Sequence, residues 1–188
     1  MKKTINVLLM LFILISCGKN QLNISDYESN KVKFAKSKLT SNNGEFSMSI
    51  PKGWSHKEAS IKSDTVLYTL EVGGGEEKTF AAFGVMKMNL ISGSMDKEFA
   101  FLIKQMTERS NNVTLVEMSE MKIGNRTAKT ALLTYELNGK IIQEEIDFFI
   151  PINDTQYYFL GMVTDKNEDI KNNFGMMIEC VKSFKIIK

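Results

Sequence analysis

Reactive side chains are few in this sequence. His56 is its only histidine, and Cys17 and Cys180 are its only thiols among 188 residues. Any Ser-His-Asp or Cys-His centre would have to use His56. If the chain is extended after Pro51, Trp54, His56 and Glu58 fall on one side of it, where a carboxylate could orient the imidazole. One histidine beside one glutamate is far short of a metal site, and the residue reads as structural. Cys180 has no partner for a disulfide once Cys17 is accounted for, and it borders an apolar stripe, so it reads as a buried, inert thiol. The 12 methionines include Met86-x-Met88, Met118-x-x-Met121 and Met176-Met177. Thioethers select Cu(I), but most of these positions continue apolar strand or helix faces and read as core filling. Glu144, Glu145 and Asp147 form the densest acidic group. Glu145 and Asp147 lie opposite Ile146 and Phe148, as on a solvated strand face, without the context of a carboxylate pair for glycan hydrolysis. Gly73-Gly74-Gly75-Glu76-Glu77-Lys78 lacks the Gly-Lys-Ser/Thr ending of a phosphate loop and reads as a hairpin tip. No catalytic residue, cofactor or metal is expected.

The remaining thiol has the most specific context. Met1-Lys2-Lys3-Thr4 precedes an apolar run from Ile5 to Ile15 broken only by Asn6, followed by Ser16-Cys17. A basic start, a short apolar segment and small residues at its end are the pattern of a secretory signal. The run is too short for a membrane span, which needs about 20 residues. Leu14-Ile15-Ser16-Cys17 resembles the lipobox of bacterial lipoproteins. The resemblance implies acylation of the Cys17 thiol, cleavage before it, and stable anchoring through two or three acyl chains. Gly18 in place of Asp favours the outer membrane in a Gram-negative host of the enteric type.

Processing also changes the charge. The chain carries 24 Lys+Arg against 22 Asp+Glu; losing Lys2 and Lys3 with residues 1–16 leaves 22 of each. Only Arg109 and Arg126 are arginines. A neutral chain so poor in the forked side chain that reads phosphates and bases is not a nucleic-acid binder.

Residues 17–43 read as the acylated cysteine and a flexible tether, polar and Asn/Ser/Lys-rich, with Lys31-Val32-Lys33-Phe34 as a possible stray edge strand. The tether carries a net +3 and the domain over 44–188 a net −3. In that domain Phe46, Met48 and Ile50 alternate with polar residues up to Pro51-Lys52-Gly53-Trp54, a strand and a turn. Residues 65–72 form a strand. Residues 80–90 are apolar on both faces, as in a covered central strand. Ser94 caps a helix with Met95, Phe99, Leu102 and Met106 on one stripe. Strands near 113–121, 127–137, 140–150 and 155–163 follow, with Asn138-Gly139 as a type I′ hairpin turn. Ile170, Phe174, Met177, Ile178 and Val181 mark a last helix. The order gives one α+β domain, an antiparallel sheet flanked by helices.

Three short stretches carry a family resemblance. Phe46-Ser47-Met48-Ser49-Ile50-Pro51-Lys52-Gly53-Trp54 resembles the opening strand and Pro-x-Gly-Trp turn of the PsbP/Mog1-like superfamily, whose bacterial members include DcrB-type envelope lipoproteins. Ile123-Gly124-Asn125-Arg126-Thr127-Ala128 is similar to that group's glycine turn, and Val181-Lys182-Ser183-Phe184 to its closing helix end. The resemblance implies an αβα sandwich around an antiparallel sheet and no single activity. The expectation is a non-enzymatic envelope lipoprotein, in contact with the bilayer through acylated Cys17. It binds another envelope protein or a small ligand through an aromatic neighbourhood of Trp54, His56, Tyr157 and Tyr158. An envelope hydrolase or copper-handling lipoprotein is the alternative.

Overall fold

A strand with apolar side chains on both faces must lie inside a sheet that is covered twice. Strand β5 (Ala81–Asn89) meets that demand: Ala81, Phe83 and Val85 enter one core, while Met86 and Met88 pack toward a second. The computed structural model describes residues 23–27, 32–36, 38–59, 63, 65–74, 81–166 and 170–187. The expected signal segment, Cys17 and the tip from Gly75 to Lys78 lie outside them.

The main sheet has seven antiparallel strands in the order β3-β4-β5-β9-β8-β7-β6. In chain order these are β3 (Ser55–Ala59), β4 (Val66–Gly74), β5, β6 (Val113–Ile123), β7 (Arg126–Leu137), β8 (Lys140–Pro151) and β9 (Gln156–Asp165). Asn138 and Gly139 have φ of 54° and 73°. That pair of positive values is what a two-residue type I′ connection between β7 and β8 requires. A second, three-stranded sheet orders β1 (Leu39–Thr40), β2 (Phe46–Met48) and β10 (Lys185–Ile186) as β1-β2-β10.

Each face of the main sheet has its own cover. Helix α1 (Met95–Arg109) starts at Ser94, whose Oγ accepts from the Lys97 N–H, and buries Phe99 and Ile103 against Ala131, Phe149, Tyr157 and Phe159. Helix α2 (Ile170–Lys182) buries Ile170, Phe174, Met177, Ile178 and Val181 on the opposite face, with Phe148, Leu160 and Met162. The small sheet adds Phe46 and Met48 to this larger core. The architecture is an αβα sandwich, as the family resemblance implied.

The expected tether is where sequence and structure part. Its described pieces pack onto the domain. A 3-10 turn (Ile24–Tyr27) buries both of its end residues. The Tyr27 ring meets Phe174 edge-on at 5.0 Å, and its hydroxyl donates to Glu144 Oε2 at 2.6 Å. The Ile24 N–H donates to Glu117 Oε2 at 2.8 Å. Further on, the Ala35 N–H donates to Ile50 O at 2.9 Å, the Lys52 N–H to Lys33 O at 2.9 Å, and Leu39–Thr40 pairs with β2. These apolar residues follow no period because each meets a different element: Tyr27 packs on α2, Ala35 bonds Ile50 and Leu39 pairs with β2. Tyr27→Ala is therefore expected to cost about 3–5 kcal/mol in chemical denaturation, as for other buried aromatics. A loss below about 0.5 kcal/mol, typical of a solvated position, would restore the tether.

Candidate functional site

The Pro51-Lys52-Gly53-Trp54 segment is a closed turn. The Trp54 N–H donates to Pro51 O at 3.2 Å and Gly53 has φ of 90°, the arrangement of a type II turn with glycine at its third position. The turn lays the Trp54 ring across the sheet edge. It packs 6.2 Å from Phe83 and lies directly on Gly74, where an added Cβ would fall 2.5 Å from the ring. Only a glycine at 74 lets the indole lie there.

The exposed side of Trp54 opens into a cleft of about 540 Å³. The N-terminal arm supplies Val32 and Lys33, the turn supplies Lys52, and α2 supplies Asn172 and Met176. Lys33 and Lys52 are exposed, and the hydrogen bond between their backbones holds arm and turn together. The edge strand β3 leaves the same turn and pairs, among the described residues, with β4 alone. The site can offer an aromatic platform, two positive charges and a row of strand-edge backbone groups. The quoted Pro-Lys-Gly-Trp turn marked half of it. The arm's share was hidden in a stretch that reads as a linker.

The other residues of the expected aromatic neighbourhood do not join it. His56 is exposed on β3 opposite Val72, and Glu58 accepts the Asn42 N–H at 2.8 Å. Tyr157 and Tyr158 are both buried, and as successive strand residues they point to opposite faces. Tyr157 stacks 6.0 Å from Phe149 and donates to Glu98 Oε1 at 3.3 Å. Tyr158 packs between Phe46 and Phe184 and donates to Glu45 Oε2 at 3.3 Å. Neither forms a surface with Trp54.

The acidic group is a second correction. Glu144 is buried on the α2 face, where Tyr27 and Lys166 bind it. Asp147 is 0% exposed on the α1 face beside Glu145, which accepts from the Tyr135 hydroxyl. A Cβ on Gly161 would come within 3.1 Å of Asp147 Oδ1, 3.3 Å of Glu145 Oε1 and 3.0 Å of the Phe159 ring. A side chain at 161 would therefore press on the pair, which would have to give by a few tenths of an ångström. Burial, then the negative field of Glu145, pushes Asp147 well above the usual carboxylate range. With its proton retained, Asp147 can donate to Glu145; its two oxygens have no other partner among the described residues.

The thiol and the thioethers divide similarly. Cys180 is buried, donates to Met176 O at 3.2 Å, and has its pKa pushed up to about 12 by burial. Met118 is exposed while Met121 packs in the larger core, so this pair does not converge. Among the described residues, no cluster of three His, Cys, Asp or Glu side chains could hold a metal, and no helix is long and apolar enough to cross a membrane.

Neither a family model nor a curated protein matches the sequence. Solved structures do. The solution structure of cyanobacterial PsbP (CyanoP) from Synechocystis sp. PCC 6803 matches with a TM-score of 0.57 at 11% identity, over 93% of this chain and 99% of that one. The Ran-binding protein Mog1p of Saccharomyces cerevisiae gives 0.57 at 10% identity, over 83% and 97%. LpqN of Mycobacterium tuberculosis, described as involved in cell envelope biogenesis, gives 0.51 at 12% identity, over 90% and 99%. The fold is PsbP/Mog1-like. At such identities the likeness carries the backbone and not the ligand.

Within this PsbP/Mog1-like sheet the buried acid has a measurable signature. Folded Asp147 keeps its proton above its ordinary 3.8, so past that pH the folded chain binds more protons than the unfolded one. Stability then falls as pH rises toward the raised value. Asp147→Asn is expected to flatten the fall of the urea-denaturation midpoint as pH rises above about 4, and to raise that midpoint at the alkaline end. An equal slope in both proteins would contradict the assignment.

Proposed function

We propose that this chain is a non-catalytic binding protein of a bacterial envelope. It is anchored on the extracytoplasmic side by acyl chains on Cys17, and it receives an envelope protein partner at the Trp54 cleft. The observation that carries the docking site is the juxtaposition of Trp54, Lys33 and Lys52 with the edge strand β3. A tryptophan held in place by its neighbours is the residue type that dominates interfaces. Lysines beside it favour an acidic partner segment, and a strand edge accepts an extended one. The lipobox-like Leu14-Ile15-Ser16-Cys17 supports the anchoring. The roles of Mog1p, a Ran-binding protein, and LpqN, a protein involved in cell envelope biogenesis, agree with a binding module working at the envelope.

Two measurements test this. Cys17→Ala should abolish acyl labelling and move the protein out of the membrane fraction; a variant that stays labelled and membrane-bound refutes the anchor. A photo-crosslinker at position 52 in intact envelopes should trap a discrete partner that the same probe at exposed Leu137 does not. Gly74→Ala, which forces the indole from its seat, should reduce that adduct by about tenfold or more, as expected for loss of a central aromatic. Equal adducts from both positions, or an adduct indifferent to Gly74→Ala, would dismiss the cleft.

A further inference from the structure

The opposite face of the sheet has an opening of its own. Helix α1 packs toward β7 and β8: Lys129 Nζ pairs with Asp96 Oδ1 at 2.7 Å, and Phe99 meets Phe149 edge-on at 5.0 Å. The C-terminal half of the helix leaves a gap over β5 and β9. Met86 and Met88 form its floor with Phe159, and Leu102 and Met106 form its wall. Its volume is about 360 Å³, within the usual range of small-molecule pockets, about 300–1,000 Å³. Three unbranched thioethers make a lining that can adjust to a flexible apolar guest.

One cation stands at this gap. Arg109, in the last turn of α1, lines the cavity with Gln105, is exposed, and has no ion pair or hydrogen bond among the described residues. The other arginine is engaged within the fold: Arg126 donates to Pro151 O at 2.6 Å and Ile152 O at 2.8 Å. An apolar slot with a single guanidinium at its rim complements a molecule with an apolar tail and one planar anion, because the guanidinium fork matches a carboxylate oxygen for oxygen. The volume accommodates a tail. At about 30 Å³ per water it holds roughly a dozen waters, and a methylene is of similar size.

We propose that this cavity binds one single-chain fatty carboxylate of about a dozen carbons, the tail between Met86, Met88 and Met106 and the carboxylate on Arg109. The site lies across the sheet from the Trp54 cleft and is independent of the docking role given to that cleft.

The test is titration of the folded protein with decanoate, dodecanoate and dodecanol, read by the ¹³C methyl resonances of its methionines. Dodecanoate should shift Met86, Met88 and Met106 while leaving buried Met177 in place, and should bind more tightly than decanoate by about fourfold per added methylene. Arg109→Gln should weaken dodecanoate by about tenfold and leave dodecanol unchanged, since the arginine meets only the anion. Met88→Trp, which fills the slot, should abolish both. Several results would overturn the proposal: dodecanol binding as tightly as dodecanoate with no effect of Arg109→Gln, shifts confined to other methionines, or Cu(I) moving these three methyls when dodecanoate does not.

Discussion

Both faces of the central strands are apolar, and everything else in this molecule answers to that. Strands β5, β9 and β8 carry Val85, Leu160 and Phe148 toward one face and Met86, Phe159 and Phe149 toward the other. Exposing either set to water would cost roughly 1.5–3 kcal/mol for each large side chain. A sheet of this kind needs two covers, and the two differ in extent. The first combines α2, the small sheet and the N-terminal arm. The second is α1 alone, whose 15 residues make a rod about 22 Å long and about 10 Å wide. Seven strands at about 4.8 Å spacing are about 29 Å across, so one helix cannot close that face. Where it falls short, over β5 and β9, lies the methionine-lined gap. Where it succeeds, over β8, Asp147 loses all contact with water.

The arm matters for geometry as well as for stability. Besides Lys166, Glu144 is bound by the Tyr27 hydroxyl, delivered from 117 positions earlier in the chain. Removing a partner from a buried charge costs more than the bond is worth on its own, because the charge stays desolvated. The arm is thereby pinned at Ile24 and Tyr27. On the proposed anchoring, only five residues separate Cys17 from Asn23, the first described residue, a reach of at most about 22 Å. The arm then passes Lys33 along the wall of the Trp54 cleft. The described pieces of the arm thus reach opposite edges of the main sheet, Ile24 at β6 and Lys33 at the Trp54 cleft beside β3. The lysines that read as charges on a loose tether are partly charges on a folded surface.

Period-2 alternation and the helical stripe placed the long strands and both helices within a residue or two. This worked because those elements bury a regular face, and Asn138-Gly139 located a turn that demands two positive φ values. The failures share one cause: a local pattern cannot report what a distant element does. Ile24 and Tyr27 look isolated in a polar stretch because the gap they fill belongs to α2 and β8. Glu145 and Asp147 look solvated because alternation assigns polar residues outward, yet on a doubly covered strand neither side is outward. Tyr157 and Tyr158 could have been separated by the same alternation, since neighbours on a strand cannot share a surface. Half of the Trp54 cleft was legible in its turn; the half given by Lys33, Asn172 and Met176 exists only in three dimensions.

The matches at 10–12% identity show which requirements are general. A sandwich of this kind asks for apolar alternation, two stripes and a few turn residues, and many sequences satisfy it. It does not prescribe how far each helix extends over the sheet, or which residues stand at the border of the covered area. Those choices decide where apolar side chains and unpaired charges meet solvent. In this chain they place Trp54 on Gly74 at one border and Arg109 above Met86 and Met88 at the other. Arg109 is exposed and not forced by the core, whereas Trp54 packs on Phe83 with one side and meets solvent with the other. On the proposed binding roles, specificity is carried by the margins of the two covers, and the sheet serves to hold those margins on opposite sides.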